Sequence, residues 1–315
     1  MKQGLGVALA LIAAAAAAPF LPIYDQHILI LVALYGALAL AWNILGGMTG
    51  QISLGHALFV GVGAYVSTGL FVLLGVNPWI GLLCAMLVGA GAGAGIGYVV
   101  FRRKLVGVYF ALVTLALAEI ALEIVSNIPA LGGANGLSIT PQPGLARLQF
   151  ASNLGFCYAS LALLALVCAV VLAISRSRLG YVLLAIRENE KAAAALGVDV
   201  IGGKVTAAAI SGALAAMVGP IYANYVLFID PDSVLGASLS IDALVYAFVG
   251  GLGSLFGPLL GAAVLAPLTE ILRGLLGGRL AGAHLVVYGV ILILAMRFAP
   301  QGLWGVGARL ARRGR

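Results

Sequence analysis

Glu119 and Glu123 are the two residues whose type and spacing could carry chemistry inside an apolar segment of this chain. They lie four residues apart, so on a helix they share one face. A carboxylate inside a membrane span indicates function by default, because a charge is costly in hydrocarbon. The pair is therefore a candidate for proton coupling. The alternative is that water or a buried polar contact satisfies both carboxylates near the outer end of their span.

Other chemistries have little support in the sequence. Gly202-Gly203-Lys204 is followed by Val205 and lacks the upstream glycine of a phosphate-binding loop, so it predicts no nucleotide site. The scattered histidines and cysteines have no metal or redox spacing. Because no nucleophile, base and orienting group can be assembled, we expect no enzyme activity and no bound cofactor in this chain. Energy for any work must come from a partner, an ion gradient or the solute's own gradient.

The composition predicts an all-α, polytopic integral membrane protein. The chain is 63% hydrophobic and 9% charged, with a mean hydropathy of +1.15. Soluble domains have roughly 45–50% apolar and 25% charged residues. The net charge of +7 indicates no nucleic-acid partner, because the basic residues lie at the ends of apolar runs. That arrangement is typical of orientation by the positive-inside rule.

The apolar runs predict about ten transmembrane helices within a single domain over residues 1–315, with both termini cytoplasmic. Arg102–Lys104 and the basic C-terminus then lie on the cytoplasmic side, and Pro129–Ser152 lies outside. The predicted spans are 5–23, 28–46, 55–75, 79–101, 105–128, 153–174, 204–228, 236–251, 255–275 and 284–300.

A charged segment from Arg176 to Lys204 interrupts the second half of the chain and holds eight of the 27 charged residues. Uncharged runs that are long enough to span a bilayer flank it, so it must lie outside the hydrocarbon. Within the predicted cytoplasmic loop 176–203, residues 187–197 resemble one short helix, because alanine favours helix. Gly197 suits the left-handed position after that helix. An ordinary solvated loop helix is the alternative to a helix that docks on a partner.

Two glycine-rich interruptions occur in apolar runs, at 46–56 and at 250–258. Paired breaks in the two halves of a transporter point to unwound helices that line a solute path. The alternative is a pair of tight cytoplasmic turns. A third glycine series, Gly89, Gly93 and Gly97, predicts a face for close helix packing.

The sequence at 185–197 resembles the coupling loop of branched-chain amino acid ABC transporter permeases. The segments 49–57, 114–120, 132–137, 249–261 and 300–305 resemble the same family in the same order. Lys191 stands where the general importer signature has an acidic residue, which puts the role of that carboxylate in doubt. The resemblance implies that the following residues couple transport to ATP hydrolysis: Arg187, Glu188, Glu190, Lys191, Ala192, Ala193 and Gly197.

The resemblance also implies residues for the solute path and for the outer surface. The path candidates are Asn43, Gln51, Ser53, His56, Gly250, Gly251 and Gly253. Asn135 is the candidate for the surface that faces a periplasmic binding protein.

The implied assembly is a bacterial inner-membrane importer. This chain would pair with a homologous second permease and with two cytoplasmic ATPase subunits, which bind the ATP and magnesium. Leucine, isoleucine and valine are the expected solutes. Urea, short amides or aromatic acids are alternatives within the same family. A stand-alone proton-coupled transporter or channel that uses Glu119 and Glu123 is the alternative from another class.

Overall fold

The uncharged runs of the sequence fold as helices that begin and end at glycines, prolines or capping side chains. The computed structural model describes residues 2–105, 107–276, 286, 289–290, 293, 297 and 302–305. Within them the helices are α1 (Lys2–Ala17), α2 (Ile23–Thr49), α3 (His56–Leu74), α4 (Pro78–Arg102), α5 (Val108–Ser126), α6 (Asn153–Arg176), α7 (Arg178–Glu188), α8 (Glu190–Ala195), α9 (Val200–Val226), α10 (Pro231–Leu235), α11 (Ala237–Gly250) and α12 (Phe256–Leu276). Two short strands, β1 (Leu137–Ser138) and β2 (Phe228–Ile229), pair antiparallel.

The predicted class is confirmed, since the protein is a polytopic helical membrane protein. The described residues contain eight helical stretches long and apolar enough to cross a membrane, and α1 adds a shorter apolar helix. The predicted tenth span, 284–300, lies mostly outside the described residues. α2 is the central helix and packs against α6, α9, α11 and α12. In its apolar window 78% of the residues are buried, so this span lies largely inside protein rather than in lipid.

Several predicted boundaries were wrong by a few residues. The span predicted to end at residue 46 continues as α2 to Thr49, and the following Gly50 adopts φ 74°. Gly250 likewise still belongs to α11, and the second break occupies 251–255. The stretch predicted as one helix from residue 236 is preceded by α10, which begins with a capping box between Asp230 and Ser233. The predicted 204–228 span starts earlier, at Val200, because Asp199 caps α9 by accepting from the Gly202 N–H at 2.9 Å.

The prediction of close packing at the glycine series is confirmed. Gly89, Gly93 and Gly97 of α4 all face α9. A side chain at Gly93 would overlap the Ala208 carbonyl, so the two helix backbones touch. We call this contact the α4–α9 seam. Small residues at such an interface let helices associate by van der Waals packing within lipid.

The alternation of the helices defines two ends of the bundle. One end carries the two breaks, the α7–α8 loop and the basic residues 102–104, and we call it the break end. The other end carries β1 and β2, with Leu137 opposite Ile229, and we call it the strand end. Residues 129–152, which were predicted to lie outside, and residues 229–235, between two predicted spans, therefore lie at one and the same end.

Candidate functional site

The second glycine break packs against the end of α2, just before the first break. Asn43, which is fully buried in α2, binds the second break through its side-chain amide. Its Nδ2 donates to the Ser254 carbonyl at 3.1 Å, and its Oδ1 accepts from the Gly253 N–H at 2.9 Å. One side chain thus satisfies a donor and an acceptor of an unwound segment that would otherwise be left unpaired. The sequence predicted both breaks but not that Asn43 ties the second break to α2.

The first break, residues 50–55, is fastened into the bundle by buried hydrogen bonds. Trp42 Nε1 donates to the Ser53 carbonyl at 2.8 Å. His56, with no exposed surface, lies with Nδ1 3.1 Å from Ser53 Oγ and Nε2 2.8 Å from Ser211 Oγ. Ser211 in turn donates to the Ala41 carbonyl at 2.7 Å. The chain of bonds links α2, the break, α3 and α9, so a shift of the break is felt by all three helices.

Further polar contacts fix the entry to α3. The Leu54 N–H donates to Thr114 Oγ1 of α5 at 3.0 Å, and the Ala57 N–H donates to Ser240 Oγ of α11 at 2.8 Å. Gln51 differs from these residues. It is 6% exposed, and its Oε1 has no hydrogen-bond partner within the part of the chain that the structure describes. An unpaired buried acceptor is unusual and marks this position of the break as a functional candidate.

The charged loop contains two helices where the sequence predicted one. α7 ends at Glu188, and α8 begins at Glu190 because Asn189 has extended backbone and caps α8 by accepting from the Ala192 N–H at 3.0 Å. The predicted left-handed position of Gly197 is confirmed, with φ 83°. Its neighbour Val198 donates back to the Ala193 carbonyl at 3.1 Å, which closes the helix end.

Arg187, at the end of α7, connects the charged loop to the breaks. Its Nη1 donates to the Gly47 carbonyl at 2.6 Å. The guanidinium also lies against Gly253, where any side chain would overlap it. Because Asn43 binds the same Gly253, a single layer of contacts runs from α7 through the end of α2 to the second break. Hydrogen bonds with a charged donor are about twice as strong as neutral ones.

A second connection ties α8 to α9. Lys204 is 1% exposed, and its Nζ lies 2.7 Å from Glu190 Oε2. The ammonium also lies 5.3 Å from the centre of the Phe101 ring, near the break end of the α4–α9 seam. A charge this deeply buried requires a partner, and Glu190 supplies it. Lys204 was not predicted as a site residue. The signal was present, since it is a lysine inside an otherwise apolar run.

A family profile described as "Branched-chain amino acid transport system / permease component" matches residues 26–296. This match spans the bundle, both breaks and the α7–α8 loop. The chain belongs to the branched-chain amino acid permease family. The resemblance carried by the loop and break motifs is thereby confirmed.

The curated relatives agree with this assignment. The permease protein LivM of a high-affinity branched-chain amino acid transport system from Salmonella typhimurium is 31% identical over 294 residues, which cover 86% of this chain and 67% of the relative. LivM from Escherichia coli gives the same values. A probable LivM from Methanocaldococcus jannaschii is 25% identical over 244 residues, covering 72% of this permease and 70% of the relative. No solved structure matches the chain.

The permease brings the coupling and path candidates to one end. Glu188, Lys191 and Ala192 are exposed on the loop, whereas Ala193 is buried. Asn43, Ser53 and His56 are buried in the hydrogen bonds described above, and Gly251 is buried at the second break. Asn135 is exposed at the opposite, strand end. Among the described residues no group of acidic, cysteine and histidine side chains has the arrangement of a metal site.

Proposed function

We propose that this permease is the membrane subunit of a binding-protein-dependent ABC importer that carries leucine, isoleucine and valine. The membership of its family and the names of the LivM relatives support this proposal. ATP and magnesium are bound by two cytoplasmic ATPase subunits, and this chain has no ATPase site of its own. A second, homologous permease completes the membrane part.

The observation that carries the proposal is the contact of Arg187 with Gly47, at the end of α2 beside the first break. α7 packs on α2, α6 and α9, and Arg187 at its end contacts both the end of α2 and Gly253 of the second break. A force applied to the loop therefore reaches the end of α2 and the second break through Arg187 and Asn43. It reaches α9 through the ion pair of Glu190 with Lys204. These two connections are what a coupling loop needs in order to move spans.

The exposed surface of the loop supports the docking of a partner. Leu196 at the end of α8 is 86% exposed, and Tyr181 of α7 is 71% exposed. A docked ATPase subunit would remove these two apolar side chains from water. Arg187, Glu188, Glu190, Lys191, Ala192, Ala193 and Gly197 form the proposed coupling set of this loop.

The charges support a break end that faces the cytoplasm. Arg102–Lys104 and the charged loop both lie there, as the positive-inside rule requires. In this orientation both termini are cytoplasmic and the protein is in the bacterial inner membrane. The strand end, with exposed Asn135, then receives the periplasmic binding protein.

The solute path passes the glycine breaks in this proposal. Gln51 Oε1 is buried and unpaired among the described residues, and the unwound backbone at Gly251 and Gly253 offers further polar groups. Irregular backbone at membrane depth is tolerated where it is enclosed by protein or lines a cavity. ATP-driven closure of the ATPase subunits shifts the loop, and binding-protein docking favours the outward-open state by differential affinity.

The test is the replacement of Arg187 in the complete transporter, reconstituted with its ATPases and binding protein. We expect Arg187→Ala to lower leucine uptake at least tenfold while ATP hydrolysis continues, because the loop loses its bond to Gly47. Arg187→Lys keeps the charge and should retain part of the uptake. Arg178→Ala, an exposed arginine at the start of α7, is the matched control and should transport normally.

The measured quantity is solute imported per ATP hydrolysed in proteoliposomes. Normal uptake by Arg187→Ala in a correctly assembled transporter would contradict the coupling role. Uptake of urea, short amides or aromatic acids in place of leucine would keep the coupling role and change the solute. Uptake by the chain alone, driven by an imposed proton gradient, would overturn the importer assignment.

A further inference from the structure

α5 is the most exposed of the candidate spans that the structure describes. Only 22% of the residues in its apolar window are buried, against 78% for α2. One face of α5 contributes the buried residues Ala111, Thr114 and Ala118. The opposite face is exposed along its whole length, and the residues at helical spacing on it, which we call the α5 stripe, are Leu112, Ala116, Glu119 and Glu123.

Glu119 lies at membrane depth, and Glu123 lies about one turn nearer the strand end, three residues before α5 ends. Glu119 is eleven residues after the start of α5, about 16 Å along a helix of ~1.5 Å rise per residue. Ala118 beside it is fully buried. Glu119 is therefore close to the centre of the span, well away from either end.

Neither carboxylate has a partner in the described part of this chain. No hydrogen bond or ion pair to the side chains of Glu119 and Glu123 is formed there. Charged residues in membrane spans face a protein neighbour or a water-filled cavity, because lipid cannot solvate them. Something other than hydrocarbon must therefore cover the α5 stripe.

A second exposed groove of the bundle differs from the α5 stripe. Between α1, α2, α6 and α12 lies an open groove of about 330 Å³ lined by aliphatic and aromatic side chains alone, among them Leu11, Leu161 and Leu260. No charged side chain lines it. The α5 stripe differs from this groove in chemistry and not only in exposure.

We infer that the α5 stripe is the surface on which the second permease subunit packs, with donor groups or water of that subunit's surface facing Glu119 and Glu123. This inference rests on the proposed function for the existence of a second permease. It replaces the proton-coupling role for which the two glutamates were candidates. The partner surface must be membrane-embedded and must offer basic or hydroxyl side chains, or a water-filled cleft, at mid-membrane depth.

The test is photo-cross-linking in native membranes, with a benzophenone amino acid at Ala116 of the stripe. The matched control is Ala162, an exposed alanine of α6 with no charged residue among its neighbours along that helix. We expect Ala116 to give a cross-link to the second permease, identified by its peptides, in at least five times the yield at Ala162. Adducts only to lipid at Ala116 would overturn the inference, as would a cross-link within the same chain.

A charge-removal variant gives a second, independent measurement. If lipid covered the stripe, Glu119→Ile would not change the amount of second permease that co-purifies with this chain. If the second permease covers the stripe, we expect Glu119→Ile to lower the amount of second permease that co-purifies with this chain at least fivefold, measured per membrane-inserted chain. Glu119→Gln should lower that amount less, because glutamine keeps the hydrogen-bonding groups. Unchanged recovery with Glu119→Ile would contradict the inference.

The failure of this inference can be told apart from failure of the coupling role. Arg187→Ala, which is expected to uncouple transport, should still give the Ala116 cross-link in full, because the stripe and the loop are separate surfaces. If Arg187→Ala transports normally and Ala116 still cross-links to the second permease, only the coupling role is refuted. If transport depends on Arg187 but Ala116 forms adducts only with lipid, only the packing of the second permease on the α5 stripe is refuted.

Discussion

The α4–α9 seam and the breaks both rely on glycine, but for different physical reasons. In the seam the glycines are helical, and their missing side chains let two backbones touch, as at Gly93 against Ala208. At the breaks the glycines supply backbone conformations that other residues rarely adopt, with φ 74° at Gly50 and 72° at Gly253. The seam therefore joins α4 and α9 into one unit, while the breaks form the connections at which neighbouring spans change direction.

The two links of the coupling loop end in these two regions. Arg187 reaches the breaks, and Glu190 reaches Lys204 close to the seam. A displaced loop should therefore turn the α4–α9 unit as a whole and change the geometry only at the breaks. This division predicts that substitutions in the seam affect folding, whereas substitutions at the breaks and the loop affect transport.

The largest effect is expected from Gly93→Leu. Its side chain would overlap the Ala208 carbonyl, and backbone atoms cannot yield as a flexible side chain does. We expect at least a tenfold loss of folded, detergent-stable protein, measured by fluorescence-detected size exclusion. Gly91→Leu is the matched control on the same helix, because no atom lies within 4 Å of a side-chain carbon there. Equal yields of the two variants would show that the seam does not depend on close approach.

Among the described residues, the sequence was sufficient to predict which segments are spans and to predict the two glycine regions, but not the helix boundaries or the contacts between the regions. Long uncharged runs must be helices in a bilayer, and Gly89, Gly93 and Gly97 at a spacing of four residues indicated packing. Gly46 and Gly47 were interpreted as the start of a break, yet α2 continues through them, because its neighbours on all sides bury it. A glycine lowers the helix propensity but does not end a packed helix.

The division of the charged loop into two helices could also have been predicted from the sequence. Asn189 is a strong helix-capping residue, and recognising this would have predicted the division into α7 and α8. The bonds of Asn43 to Gly253 and of Arg187 to Gly47 join residues far apart in the chain. Their existence depends on how the helices pack, which no local pattern specifies.

A smaller effect is expected from Asn43→Leu, which keeps the volume of the side chain and removes its amide. The Gly253 N–H and the Ser254 carbonyl would both lose their partner, and each unpaired buried group costs about 1–3 kcal/mol. We expect a lower midpoint of thermal unfolding and reduced leucine uptake. Asn127→Leu is the control, since Asn127 is exposed and its side chain donates to the nearby Glu123 carbonyl on its own helix turn. If the two variants unfolded at the same temperature, the Asn43 amide would not hold the second break on α2.

The smallest effect on transport is expected from Gly197→Ala. This substitution tests the strain of a left-handed backbone alone, without a steric clash with neighbouring atoms. Gly197 has φ 83°, yet nothing lies within 4 Å of a side-chain carbon at this position. The cost is then the left-handed strain alone, about 1 kcal/mol, and asparagine should lower it because it tolerates this conformation. Leucine uptake should fall less than threefold, measured in the reconstituted transporter.

Adding Glu190→Ala to Gly197→Ala tests whether the loop also needs its second link. The double variant loses both the ion pair to Lys204 and the fixed end of α8. We expect ATP hydrolysis to continue while uptake falls by more than the product of the single effects, because a loop held only by Arg187 can rotate without turning α9. If the two single effects multiply, the ion pair to Lys204 and the helix end at Gly197 act independently. Coupling would then depend mainly on the contact of Arg187 with α2 and the second break.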